Sequence, residues 1–280
     1  MSINNLERFR AKIAAGTTCV GTVISLSDPA VSELAGEAGF DFTWIDMEHT
    51  PQTILTVMNH IMVQRGVGCA PFVRVPWNEW GIIKPVLDLA PAGIIIPMVN
   101  SAEAAAEAVA SCKYPPQGNR GWGPRRGMRY GAAGFDEYRR DPESDPLVIV
   151  QVEHIEAVRN LDAILAVPGI DSICVGPADL SGSMGRLCRM DDPELNAAID
   201  EVAAKTKRAG LLLGTFSTDL PRWKARGVDW IAVTGDCGSM FRDFRSVLDA
   251  EQLRAKYAKY ACTGVEAACE SGRTKRIITL

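Results

Sequence analysis

The segment "TWIDMEHT", residues 43–50, opens as a sheet interior and closes on three titratable side chains, Asp46, Glu48 and His49. An imidazole three residues from a carboxylate is a pattern for proton transfer, in which Asp46 orients the His49 ring and raises its basicity. Glu48 is read as alternating away from the Asp46 side, to support the pair from behind or to face solvent. Arg74 ends the apolar run in "PFVRVP", Glu153 ends the run in "VQVEH", and Asp179 follows a run in "SICVGPADLSGSMG". Glu153 and Asp179 are two carboxylates without a cysteine or histidine cluster. Such a pair suits a hard divalent cation, Mg²⁺ or Mn²⁺, whose shell is completed by water and substrate oxygens. The competing reading is an ion pair of Glu153 with Arg74 and a helix-capping Asp179. The turn "GPADLS" can also present backbone N–H groups to a substrate carboxylate.

Other candidates read differently. His60 lies inside a helical stretch and is structural. His154 adjoins Glu153 but faces the other way and is also structural. Lys84, the nearest lysine for a Schiff base, lies within a helix and not at a strand end. Arg125, Arg126 and Arg129 form either a lid for an acidic substrate or a solvated basic loop.

These residues need a frame that brings distant segments together. Eight short apolar runs recur, beginning at Cys19, Phe42, Ala70, Gly93, Leu147, Ser172, Leu211 and Trp230. Amphipathic stretches alternate with them, most opening on Ser, Thr, Asp, Asn or Pro and several closing on Gly. Runs apolar on both faces and separated by helices imply parallel strands with helical crossovers. Eight such units predict a (β/α)₈ TIM barrel, with active-site groups at the C-terminal strand ends. A doubly wound sheet is the rival, but the Gly-rich "GWGPRRG" is not G-x-G-x-x-G and lies between the fourth and fifth runs. The single barrel domain is predicted over 1–261. A long loop precedes the fifth strand, and a tail follows at 262–280.

Composition narrows the partners. The 280 residues are 47% hydrophobic and 23% charged, with a formal net charge of −4. A nucleic-acid partner would want a basic face. No apolar run reaches the roughly 18 residues of a membrane span. The N-terminal segment carries charges where a signal peptide needs an apolar stretch, so a cytoplasmic enzyme is expected. None of the eight cysteines is in CxxC spacing, and free thiols in a reducing compartment are expected.

The segments "FTWIDMEHTPQ", "PFVRVPWNE", "IIIPMVNSAEAA", "KYPPQGNRGWGP", "VQVEHIEAVRNLDAI" and "GIDSICVGPADLSGSMG" together resemble the HpcH/HpaI family of metal-dependent class II pyruvate aldolases. The resemblance runs from about residue 6 to about residue 258. It implies a phosphoenolpyruvate/pyruvate-type barrel. It also implies hexamers, trimers of dimers, with the last helix exchanged between subunits. By that resemblance, Glu153 and Asp179 hold a divalent metal ion (Mg²⁺, Mn²⁺ or Co²⁺), and His49 with Asp46 is the base dyad. Arg74 contacts the pyruvate keto oxygen, and Gln151 lies near the metal. The backbone at Ala178 and Asp179 holds the pyruvate carboxylate, and Asp88 reaches a neighbouring subunit's site. The chain departs from the family pattern at Val23, where a tryptophan is common, in the loop "GPRRGMRYG", and in its tail after Ala261. These positions bear on the choice of aldehyde.

The implied reaction is reversible cleavage of a 4-hydroxy-2-oxoacid to pyruvate and an aldehyde through a pyruvate enolate, with oxaloacetate decarboxylation as a side activity. A malyl- or citramalyl-CoA lyase is the enzymatic alternative and would need a groove for CoA. A metabolite-binding barrel without turnover is the alternative from another class. Assays of free acids against CoA thioesters, and metal-dependent release of pyruvate, separate the three.

Overall fold

The computed structural model describes residues 2–261, with side chains to residue 249; the predicted tail at 262–280 lies outside the described residues. The first helix is α1 (Leu6–Ala14). The first four strands are β1 (Cys19–Ile24), β2 (Phe42–Asp46), β3 (Ala70–Arg74) and β4 (Gly93–Ile96). Between and after them lie α2 (Ala30–Glu37), α3 (Ile54–Val67), α4 (Trp80–Leu87) and α5 (Ala102–Cys112). A long segment containing α6 (Phe135–Arg140) leads to β5 (Leu147–Val152), α7 (Ile155–Arg159) and α8 (Leu161–Leu165). Next come β6 (Ser172–Val175), α9 (Pro177–Ser183), α10 (Pro193–Arg208), β7 (Leu212–Phe216), α11 (Leu220–Ala225) and β8 (Trp230–Gly235). The strands close in sequence order into a parallel barrel, with β1 paired to both β2 and β8. The eight predicted strands and the barrel are thus observed. The described residues divide into a compact unit up to Asp236, which holds the barrel, and a second that begins at Cys237.

Local signals set several helix ends. Thr53 caps α3 reciprocally with Thr56, and Gly68 ends it at φ 69°. Asp192 accepts from the N–H groups of Glu194 and Leu195 at the start of α10, where Pro193 supplies the first helical residue.

Alternation along each strand separates two cores. Side chains such as Ile45, Val73, Ile94, Val150, Val175 and Ile231 point outward and pack under the helices. Phe42, Trp44, Phe72, Ile149, Cys174 and Trp230 fill the barrel interior, so it is a packed core and not a pore. Gly214 makes room for Trp230, since a Cβ there would lie 1.8 Å from the indole Cε2. The indole N–H of Trp230 donates to Ser172 Oγ at 2.9 Å, which keeps that polar atom satisfied in the interior. α1 buries Leu6 and Phe9 in the same core, with the Phe9 ring 4.9 Å from that of Phe72.

The loop before β5 connects the end of a helix to the start of a strand, so it lies on the face opposite the C-terminal strand ends. The loop therefore does not cover the barrel mouth of its own chain, and the lid reading is corrected for that mouth. Arg126 is buried and donates to the carbonyl oxygens of Leu89 at 2.9 Å and Ile3 at 3.2 Å. It therefore staples the loop to the N-terminal segment, using donors that would otherwise be orphaned. Burial lowers its pKa. Tyr114, Trp122, Phe135 and Tyr138 pack edge to face and tilted to hold the same loop.

Candidate active site

Residues of one parity along a strand share a face. Phe42, Trp44 and Asp46 therefore follow one another up the inside of β2, as Phe72 and Arg74 do in β3 and Ile149 and Gln151 do in β5. Asp46 and Arg74 are register partners. Their side chains meet in a two-pronged pair, with Arg74 Nε donating to Oδ1 at 2.9 Å and Nη2 to Oδ2 at 2.8 Å. The guanidinium lies 5.0 Å from the Trp44 ring centroid, which fixes its plane from below. Burial works to lower the Arg74 pKa, but Asp46, Glu48 and Glu153 outweigh it and the net shift is upward.

The expectation for Glu48 is corrected here. β2 ends at Asp46, and the bend over residues 47–50 brings Glu48 inward. Its Oε2 pairs with Arg74 Nη1 at 2.7 Å, and the side chain is 15% exposed. Burial raises the Glu48 pKa, against the pull of Arg74 and His49. Asp46 also accepts from the N–H of Glu48 at 3.0 Å and, more distantly, from that of His49 at 3.5 Å, while Thr50 Oγ1 donates to its carbonyl oxygen. The side-chain hydrogen bonds of Asp46 thus go to Arg74 and to the turn, rather than to the His49 ring. That ring is 62% exposed, and its Nε2 lies 3.6 Å from Glu48 Oε2.

Glu153 is only 2% exposed. The N–H of Met98 donates to its Oε1 at 2.8 Å, and Gln151 Nε2 donates to its Oε2. Met98 turns its N–H toward Glu153 at φ 54°, a left-handed conformation uncommon outside glycine. Burial pushes the Glu153 carboxyl up to about 7; the Met98 N–H opposes this, while Glu48 and Asp179 add to it. Gln151 is buried, and its Oε1 has no hydrogen-bond partner. Asp179 stands in the first turn of α9 and is exposed. The N–H groups of Ala178 and Asp179 fall in that turn, where a helix has no acceptors of its own.

Gly176 is the residue that sequence reasoning missed. A Cβ there would lie 2.7 Å from Glu153 Cβ, 2.8 Å from its Oε2 and 2.9 Å from Gln151 Nε2. Its φ of −102° is ordinary, so the demand is for space alone. Gly176→Ala is expected to cost about 1–3 kcal/mol as overpacking and to displace Gln151 and Glu153 together. Thermal melts and a crystal structure of the variant check this; an unmoved Glu153 would refute it.

The other sequence candidates fall outside this cluster. His60 is buried, with Nδ1 2.8 Å from Ser32 Oγ, and burial lowers its pKa. His154 caps α7, its Nδ1 accepting from the N–H of Glu156 at 3.2 Å. Lys84 stands in α4 with Nζ 4.7 Å from the centre of the Trp80 ring. Asp88 follows α4 directly, on the face opposite the strand ends that carry Arg74 and Glu153. Its pKa is raised by burial, against the pull of Arg120 and Lys84. The six cysteines among the described residues are free, and burial pushes Cys19, Cys69 and Cys112 up to about 12, so these are inert core thiols. No group of three or more His, Cys, Asp or Glu among the described residues is placed to hold a metal by itself. Among those residues no helix is long and apolar enough to cross a membrane.

The barrel and its ring of strand-end charges define a type of enzyme, and comparison with known proteins names the family. The model described as HpcH/HpaI aldolase/citrate lyase matches residues 20–235. The chain belongs to this family and is an enzyme of the lyase class. It is 35% identical over 245 residues to a hydroxypyruvate/pyruvate aldolase from Roseobacter denitrificans, covering 86% of this chain and 96% of the relative. It is 35% identical over 248 residues to a 5-keto-4-deoxy-D-glucarate aldolase from Klebsiella pneumoniae, covering 87% and 96%. A crystal structure of an HpcH/HpaI aldolase from Desulfitobacterium hafniense superposes with a TM-score of 0.80 at 28% identity, covering 88% of this chain and 96% of that one.

Proposed function

We propose that this lyase is a divalent-metal-dependent aldolase that reversibly cleaves a 4-hydroxy-2-oxoacid to pyruvate and an aldehyde. The observation that carries this reading is the state of Glu153. It is a buried carboxylate whose pKa is pushed up to about 7, in the field of Glu48 and Asp179. Beside it, Gln151 leaves a buried oxygen unpaired. Such a site stores negative charge that a hard cation would relieve, and its oxygen-only donors suit Mg²⁺, Mn²⁺ or Co²⁺. Glu153 and Asp179 would hold the ion, with Gln151 beside them. When bound, it supplies a Lewis acid that offsets charge developing on the substrate's keto oxygen.

The chain's own residues account for the remaining steps. Arg74 spends two of its five N–H donors on hydrogen bonds to Asp46 and pairs by charge with Glu48, which leaves donors on its Nη atoms for a substrate oxygen. Those donors are preorganised, and they stabilise the keto oxygen as it becomes an enolate oxygen. The N–H groups of Ala178 and Asp179 receive the pyruvate carboxylate. His49 takes the proton of the 4-hydroxyl as the C3–C4 bond breaks and the aldehyde departs, and a proton then returns to C3. The same enolate chemistry permits decarboxylation of oxaloacetate, which needs no hydroxyl deprotonation.

Chelation is therefore expected to abolish pyruvate release, and Mg²⁺, Mn²⁺ or Co²⁺ to restore it. His49→Ala is expected to lower aldol cleavage by roughly 10²-fold, the range for a lost general base, with decarboxylation and metal affinity less affected. Full activity in excess chelator, or a pyruvate adduct trapped by borohydride, would refute the reading.

The assembly proposed is a homo-oligomer, a hexamer built as a trimer of dimers. Its support is α12 (Asp236–Ala261), which exposes Met240, Phe241, Phe244, Val247 and Leu248. Contiguous apolar surface of this kind marks interaction sites. Asp88 faces away from its own barrel mouth and would approach that of a neighbour. Light scattering is expected to return six chain masses; an active monomer would refute this.

A further inference from the structure

We infer that Gln52 is a positioning residue for His49, fixing the turn that carries it against the neighbouring loop between β1 and α2. The inference rests on the aldolase reading and deepens it. The His49 ring is 62% exposed and makes no hydrogen bond to the described residues, so the backbone beneath it sets where the imidazole stands. That backbone is anchored twice. Thr50 Oγ1 donates to the carbonyl oxygen of Asp46. Beyond Pro51, Gln52 turns into the core, 8% exposed, and its Nε2 donates to the carbonyl oxygen of Leu26 at 2.8 Å. The N–H groups of Ser25 and Leu26 in turn donate to Asp236 Oδ2 at 2.7 and 2.9 Å. The loop between β1 and α2 is therefore a fixed post, and Gln52 ties the His49 turn to it.

Buried His60 decides which way the Gln52 amide points. Its Nε2 lies 3.4 Å from Gln52 Nε2, and its Nδ1 lies 2.8 Å from Ser32 Oγ. Burial lowers the His60 pKa, against the pull of the Leu26 carbonyl, Asp236 and Asp28, so the ring is neutral at pH 7. A neutral imidazole has one donor and one acceptor nitrogen. Facing an amide N–H, Nε2 is the acceptor, and the Nδ1–H donates to Ser32. With the amide reversed, Gln52 Oε1 would meet two acceptors, the Leu26 oxygen and the imidazole lone pair. Ser32, His60 and Gln52 thus form a buried relay from α2 through α3 to the His49 turn.

Rates of aldol cleavage and of oxaloacetate decarboxylation, measured on the same preparations, test this, because only cleavage uses His49. Gln52→Met, similar in length and without hydrogen-bonding groups of its own kind, is expected to lower kcat for cleavage about tenfold, as for a displaced catalytic group, with KM and the decarboxylation rate changed less than about twofold. In the His49→Ala background the same change is expected to cost cleavage less than about twofold, because the group it positions is already gone. His60→Leu, which frees the amide to turn, is expected to show the same split at about threefold, and His60→Gln, which returns an acceptor, to recover most of it. The decarboxylation rate reports an intact folded site in each variant. Full cleavage in Gln52→Met, an equal loss without His49, or loss of both reactions together in Gln52→Met and in His60→Leu would overturn the assignment while wild-type cleavage upheld the aldolase reading. A wild type that releases no pyruvate from any 4-hydroxy-2-oxoacid would overturn that reading, and the role of Gln52 with it.

Discussion

Arg74→Ala is expected to destabilise the protein by about 3–5 kcal/mol and to remove turnover, because it leaves buried charges without their partner. Arg74 is 8% exposed and answers Asp46 and Glu48 at 2.7–2.9 Å. Without it, both carboxylates face each other and Glu153 across a desolvated mouth. Arg74→Lys separates the electrostatic part from the geometric part. An ammonium is a point charge and cannot reproduce the two-pronged contact with Asp46 while also reaching Glu48. It is expected to recover much of the stability but to leave kcat lower by roughly 10²-fold, as for a lost preorganised donor. Chemical denaturation and steady-state kinetics of both variants give the answer. Wild-type kcat in the lysine variant would show that the fork geometry is irrelevant.

Glu153→Gln is expected to act with the opposite sign on stability. The folded-state pKa, about 7, lies above the ordinary value of 4.5, so the folded protein holds the extra proton between those limits. The stabilisation is fully present below about pH 4.5 and is lost as pH rises through about 7, a window worth on the order of 3 kcal/mol. A glutamine carries no charge to bury, so the metal-free variant is expected to lack this slope and to outlast the wild type at pH 8. Cleavage and decarboxylation are both expected to fall by roughly 10²-fold or more, since both need the charge stabilisation centred on this residue. Wild-type metal affinity is expected to rise with pH through about 7, as the cation displaces the Glu153 proton, and the variant is expected to bind more weakly with a flatter dependence. Melts across pH, and calorimetric metal titrations at several pH values, check each part. A variant that kept either reaction at the wild-type rate would exclude Glu153 from the site.

The ring of strand-end polar and charged residues was legible in the chain because period-two alternation runs to the strand ends. Asp46, Arg74 and Gln151 each follow an inward-pointing core residue by two positions, and Glu153 follows Gln151 by two. Glu48 lies past the end of β2, where the rule no longer holds, and the bend over residues 47–50 decides its direction. Gly176 left a weaker signal, a glycine beside a predicted carboxylate site, and spacing alone does not say which atoms it must clear. The N-terminal helix α1 was not among the predicted elements, and nothing in its sequence says that Phe9 meets Phe42 and Phe72 inside the barrel.

Sequence by itself determined the order of eight strands, their burial on both faces and the strand-end location of the charges. These follow from local alternation and from helix stops, which depend on neighbours within a few residues. Tertiary structure alone decided which charges meet. Closure of β2 against β3 gives Arg74 to Asp46 and Glu48, and leaves His49 with Glu48 as its nearest carboxylate. The β4 end supplies Glu153 with the N–H of Met98, a donor that no side-chain pattern reveals. Arg126, which reads as part of a lid or of a solvated basic loop, is buried against the carbonyl oxygens of Leu89 and Ile3. Contacts of this kind are set by distances between residues far apart in sequence, and a one-dimensional pattern holds no measure of those distances.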